Sequence, residues 1–125
     1  MIDFQNASFA KLQQVQNAPF MQSVVKLLIP NEQVIGIFQG IRDGIVFTDK
    51  RIITVNVQGV TGKKKDFTSM PYSKIQLFSL ETAGTFDLDT ELELWFSGAG
   101  RVKFEFTSHT DVSYIARIIA QYALR

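Results

Sequence analysis

Four carboxylates recur at every second position, Asp87, Asp89, Glu91 and Glu93, a series that could hold a divalent cation or divide acid and base roles. A calcium loop of the EF-hand type starting at Asp87 needs glycine at its sixth position and glutamate at its last, where this chain has Leu92 and Gly98. Strand spacing sets the four side by side on one solvated face, so they read as a polar loop entering an exposed strand. His109 is the single histidine and the chain contains no cysteine, so a His/Cys metal centre has no second ligand and thiolate chemistry has no nucleophile. The serines lie in no Gly-x-Ser-x-Gly frame, and Gly59-Val60-Thr61-Gly62-Lys63 lacks the spacing of a phosphate-binding loop. No catalytic, cofactor-binding or metal-ligating residue is assigned, and binding is expected rather than catalysis.

The densest charge cluster is Lys63-Lys64-Lys65. Lysines near an anionic lipid surface contribute about 1 kcal/mol each, and Asp66 subtracts from the total, so the cluster supports at most weak peripheral membrane contact. The formal net charge of +1 leaves no whole-molecule field to draw in nucleic acid.

These residues need a scaffold. With 125 residues, 46% of them apolar and 20% charged, the chain suits one globular domain. Asp3 to Ile29 has helical texture: Phe9, Leu12, Val15 and Gln16 fall near one face, then Met21, Val24, Val25 and Leu28 near another. Pro19 separates the two and Pro30 ends the second, predicting a helical extension over residues 1–30 ahead of a domain over 32–125. Seven strands follow: Val34–Ile41, Ile45–Thr48, Arg51–Val57, Asp66–Met70, Ile75–Thr82, Glu91–Ser97 and Val102–Thr107. Asp43-Gly44 signals a type I′ hairpin and Asp49-Lys50 a tight turn. A three-residue loop, Gly98-Ala99-Gly100, matches the apolar faces of the last two strands and sets Trp95 opposite Lys103 and Glu93 opposite Glu105. Thr110 then caps a closing helix whose apolar stripe is Val112, Ile115, Ala116, Ile119, Tyr122 and Ala123.

Seven strands closed by one amphipathic helix, together with the run Asp43-Gly44-Ile45-Val46-Phe47-Thr48-Asp49-Lys50-Arg51-Ile52, resemble the bacterial pleckstrin-homology and GRAM-like domains over roughly residues 32–125. The resemblance implies a mainly β barrel of two near-orthogonal sheets with the helix closing one corner, and a tendency to form ring-like homo-oligomers. Phosphoinositide-binding relatives carry several basic residues between their first two strands. Here that loop is Arg42-Asp43-Gly44, too short for a phosphate cradle.

Val34–Ile41 and Ile75–Leu80 carry large apolar residues on both faces, whereas a small barrel buries one face and wets the other. Ile35, Ile37, Phe78, Leu80 and Trp95 therefore make up an expected self-association surface, covered by the N-terminal segment, by a second copy, or by both. The expected function is a scaffold that self-associates and binds a protein or anionic partner. A carrier for a small apolar ligand is the alternative. The acidic start Met1-Ile2-Asp3-Phe4 lacks the basic region of a signal peptide, which predicts a cytoplasmic location.

Overall fold

A computed structural model of the chain describes residues 7–82, 84, 89–107 and 110–125. Among them the strands are β1 (Ala7–Val15), β2 (Val34–Gln39), β3 (Gly44–Thr48), β4 (Arg51–Gln58), β5 (Lys64–Pro71), β6 (Ile75–Glu81), β7 (Thr90–Phe96) and β8 (Gly100–Phe106). A short helix α1 (Met21–Val24) runs into a 3-10 turn over Val25–Leu27, and α2 (Val112–Ala123) follows the last strand. The strands form one sheet in the order β5-β4-β3-β2-β1-β8-β7-β6.

The seven strands from β2 to β8 lie where alternation and turn residues put them, to within two residues at most ends. The eighth, β1, occupies part of the region expected to be helical. It pairs antiparallel with β2 and parallel with β8, and so joins the two expected sheets into one. The helical expectation fails for a specific reason. A bulge falls between Phe9 and Leu12, with Lys11 in the left-handed region at φ 58°. Strand period two plus one inserted residue puts Phe9 and Leu12, three apart, on the same buried face, which imitates helical spacing. A second bulge, between Val34 and Gly36, likewise packs Ile35 against the main core with Phe38, while Ile37 turns to the opposite face.

Three further expectations are corrected. Asp43-Gly44 is not the centre of the β2–β3 turn: Gln39 pairs with Gly44, the Gly40 amide donates to the Asp43 carbonyl at 2.7 Å, and Ile41-Arg42 form the tip. Gly44 has no positive φ. Its glycine serves packing, since a Cβ there would strike the Phe20 ring and approach the Phe38 carbonyl oxygen to 2.8 Å. The β7–β8 hairpin keeps the expected faces but slides by two residues: Phe96 pairs with Gly100, Trp95 with Arg101 and Glu93 with Lys103. This register sets Glu93 opposite Lys103 and shifts the glutamate pair to Glu91 and Glu105, while Arg101 reaches Glu93 diagonally at 3.2 Å. The cap of α2 is Asp111, whose carboxylate accepts from the Tyr114 amide, and not Thr110.

One side of the curled sheet holds the main core, where Phe38 meets Phe47 and Phe106 edge-on and Phe9 lies against Phe104. Ile115, Ile118 and Ile119 of α2 pack into it. On the outer side, Phe20, Met21 and Val24 cover Val46, Ile53 and Val55. The N-terminal segment thus covers part of the second apolar face.

Candidate functional site

The Thr48-Asp49-Lys50-Arg51 run folds into a polar lock. Thr48 is fully buried, and its hydroxyl oxygen accepts from the Lys50 and Arg51 amides, which closes the β3–β4 turn. That hydroxyl also donates to Glu32 at 2.6 Å. Arg51 grips both carboxylate oxygens of Glu32 at 3.0 Å and donates to the Leu27 carbonyl. Burial pushes the Glu32 carboxyl upward, but hydrogen bonds from Arg51, Thr48 and the Ile29 amide outweigh it and hold the carboxyl below its usual range. Tyr72 donates to the Thr48 carbonyl at 2.6 Å and stacks on Tyr122 of α2, over which Arg125 lies. Burial, then the neighbouring Tyr122, Asp49 and Glu32, push the Tyr72 phenol well upward. The most distinctive run of the sequence is therefore a structural clasp whose polar groups are occupied within the chain.

The acidic series divides. Asp87 lies outside the described residues, as does His109. Asp89 sits 4.0 Å from Lys11, Glu91 3.8 Å from Lys103, and Glu93 against Arg101. No group of three His, Cys, Asp or Glu suited to a metal ion occurs among the described residues. No described helix is long and apolar enough to cross a membrane.

Two exposed surfaces bear on function among the described residues. The first is β6, an edge strand. Ile35 and Ile37 are half-buried by their own chain, and Trp95 and Phe78 are also half-covered, but Leu80 is exposed and Leu77 is 51% exposed. Leu77 pairs with Trp95 on the outer side, and Leu80 with the buried Leu92 on the inner side. Sequence reasoning did not assign Leu77 to this surface, although its place in the Ile75–Leu80 run was the available signal.

The second surface is a rim. By strand direction, the β2–β3 turn, the β4–β5 loop and the β7–β8 turn open at the same end of the sheet. Lys63, Lys64 and Lys65 are all exposed there. Arg42 donates to the Gly59 carbonyl at 2.6 Å, and Asp43 accepts from the Val57 amide, so the two tips are tied together. An open cleft of about 290 Å³ borders the first tip, lined by Phe9, Leu12, Ile41 and Arg42 among others. Another, about 300 Å³, lies between Lys50, Tyr72, Tyr122 and Arg125.

Residues 3–123 match the family model described as the bacterial PH domain. A Bacillus subtilis protein, YjqA, is 44% identical over 108 residues, covering 85% of this chain and 86% of its own. Among solved structures, a DUF1696 family protein with a pleckstrin-homology domain from Shewanella loihica is 41% identical with a TM-score of 0.79, covering 91% of this chain and 98% of that one. A pleckstrin-homology domain from Shewanella amazonensis is 43% identical with a TM-score of 0.67, covering 89% and 90%. With its seven recognised strands, its added β1 and its closing helix, the chain belongs to the bacterial PH domain family.

Proposed function

We propose that this chain is a non-catalytic pleckstrin-homology-type module that associates with further copies of itself through the β6 edge. The observation that supports it is the contrast between the two edges of the sheet. Strand β5 carries Lys64, Lys65 and Asp66 and ends in Pro71, the devices by which edge strands avoid pairing. Strand β6 reads Ile75-Gln76-Leu77-Phe78-Ser79-Leu80-Glu81, with no charge before its last residue and with Leu77 and Leu80 exposed. An added strand would satisfy the outward main-chain groups of β6 and cover those leucines together. The phenylalanine-filled core makes a barrel-interior ligand site a poorer reading.

Light scattering on the purified chain tests it. The wild type is expected to be a defined multimer at micromolar concentration, and Leu77→Lys with Leu80→Lys to shift it to monomer with unchanged circular dichroism. A wild-type chain that stays monomeric across the concentration range would sink the proposal.

A further inference from the structure

The cleft of about 300 Å³ opens where the β3–β4 turn, the 3-10 turn over Tyr72–Lys74 and the end of α2 meet. Each contributes side chains: Asp49 and Lys50, Tyr72 and Ser73, Tyr122 and Arg125. The walls are fixed before any ligand arrives. The Thr48 hydroxyl closes the β3–β4 turn by accepting from the Lys50 and Arg51 amides. Asp49 is held on the Gln33 backbone, its amide donating to that carbonyl at 3.0 Å and its carboxylate accepting from that amide at 2.8 Å. Tyr72 is buried, donates to the Thr48 carbonyl and stacks on Tyr122 with ring centres 5.1 Å apart. Three segments distant in sequence thus share one rigid frame.

Two cations and one acid line this frame. One oxygen of Asp49 takes the Gln33 amide, and the other lies 4.0 Å from the Lys50 ammonium, too far for a hydrogen bond. That spacing leaves Lys50 able to donate to another acceptor. The Arg125 guanidinium lies 5.0 Å from the centre of the Tyr122 ring, a face contact that uses none of its N–H groups. Ser73 is exposed and adds a hydroxyl donor.

We infer that this cleft binds a small organic anion, its carboxylate or phosphate group received by Lys50, Arg125 and Ser73 and its carbon skeleton lying beside Tyr122. Charge selects the sign, since two basic groups outnumber a carboxylate that the Gln33 amide already engages. The same two cations offset the negative end of the α2 dipole, which would otherwise repel an anion. Size selects the class: the volume falls at the small end of ligand clefts, which suits a metabolite of a few carbons and not a folded partner. A guanidinium already resting on a ring loses little freedom when it grips a planar or tetrahedral oxyanion. The site lies at the other end of β4 from the lysine loop, and it does not depend on self-association.

Amide NMR titration of the full chain in low-salt buffer tests this, with glycerol phosphate, succinate and neutral glycerol as probes. Saturable binding of an anion is expected, about ten-fold or more above glycerol, with shifts concentrated at Lys50, Ser73 and Tyr122 to Arg125. Glycerol phosphate and succinate separate a phosphate source from a carboxylate source, and saturation by either at these amides supports the inference. Lys50→Gln should weaken binding about ten-fold, and Lys50→Gln with Arg125→Gln about 100-fold, at exposed positions that leave the Tyr72–Tyr122 stack in place. Lys63→Gln with Lys64→Gln should leave it unchanged. Absence of saturation, shifts confined to the lysine loop, or a Lys50–Arg125 double variant that binds like the wild type overturns the inference. Light scattering on the same samples reads the oligomeric state, so a failure of the β6 reading is seen separately.

Discussion

Arg51 holds Glu32 through two parallel hydrogen bonds of 3.0 Å, with the glutamate side chain fully buried and the arginine only 20% exposed. The pair spans the segment before β2 and the start of β4, and the Leu27 carbonyl extends it to the turn after α1. A bidentate pair so placed fixes orientation as well as energy. It is the point where the N-terminal cover is fastened to the sheet.

Removing one partner strands the other charge. Glu32→Ala is expected to cost about 3 kcal/mol, because Arg51 loses its counter-charge and Thr48 and the Ile29 amide lose their acceptor. Urea denaturation measures it, and a loss below about 1 kcal/mol would contradict the account.

The same carboxylate sets the acid limb of stability. Its folded pKa is lowered from 4.5, so its contribution is present above that value and is lost as pH falls through the folded pKa. The denaturation midpoint should fall on acidification below 4.5, and Glu32→Gln should flatten that limb. An unchanged acid slope in the variant would assign the limb to other carboxylates.

Tyr72 acts at the alkaline end. Burial raises its pKa above 10.0, so the neutral phenol belongs to the fold, and its contribution is lost as pH rises from 10.0 toward the folded value. Tyr72→Phe should flatten the alkaline limb while costing about 1 kcal/mol at neutral pH, since the Thr48 carbonyl loses its donor. Thermal melts across pH 10 read both effects.

Gly44→Ala should destabilise by about 1–3 kcal/mol through overpacking, not through backbone strain. Phe20→Leu in the alanine background should recover part of the loss. Absence of any recovery would mean that the Phe38 carbonyl is the obstacle.

Lys11→Gly runs against the rule that glycine weakens a strand. At φ 58° the lysine is strained, and its partner Asp89 is 4.0 Å away at a mostly exposed site. The substitution should be neutral or stabilising by up to about 1 kcal/mol, measured by urea midpoint. A clear destabilisation would show that the bulge tolerates lysine without strain.

Strands β2 to β8 and helix α2 were legible because their signals are local: alternation, turn residues and a 3.6-residue stripe need only a few neighbours. The faces of the β7–β8 hairpin were legible for the same reason. Its register was not settled by apolar matching, since a two-residue slide keeps every face. The charges of Glu93, Lys103 and Arg101 held the missing signal. Lys63, Lys64 and Lys65 were visible as a cluster. That Ile41 and Val60 stand at the same rim was not, because it depends on strand order and on one bond between Arg42 and Gly59.

By itself the sequence determined which segments alternate, where the chain turns and which helix face is apolar. Tertiary structure decided that Ala7–Val15 is a strand, since its bulge made strand spacing look helical until β2 and β8 supplied partners. It also decided that the Thr48–Arg51 run serves as a clasp on Glu32, and that β6 is left as the apolar edge. Each of these depends on groups distant in the chain meeting in space: a hydrogen bond, a buried ion pair and an uncovered edge are properties of neighbours, and folding supplies the neighbours.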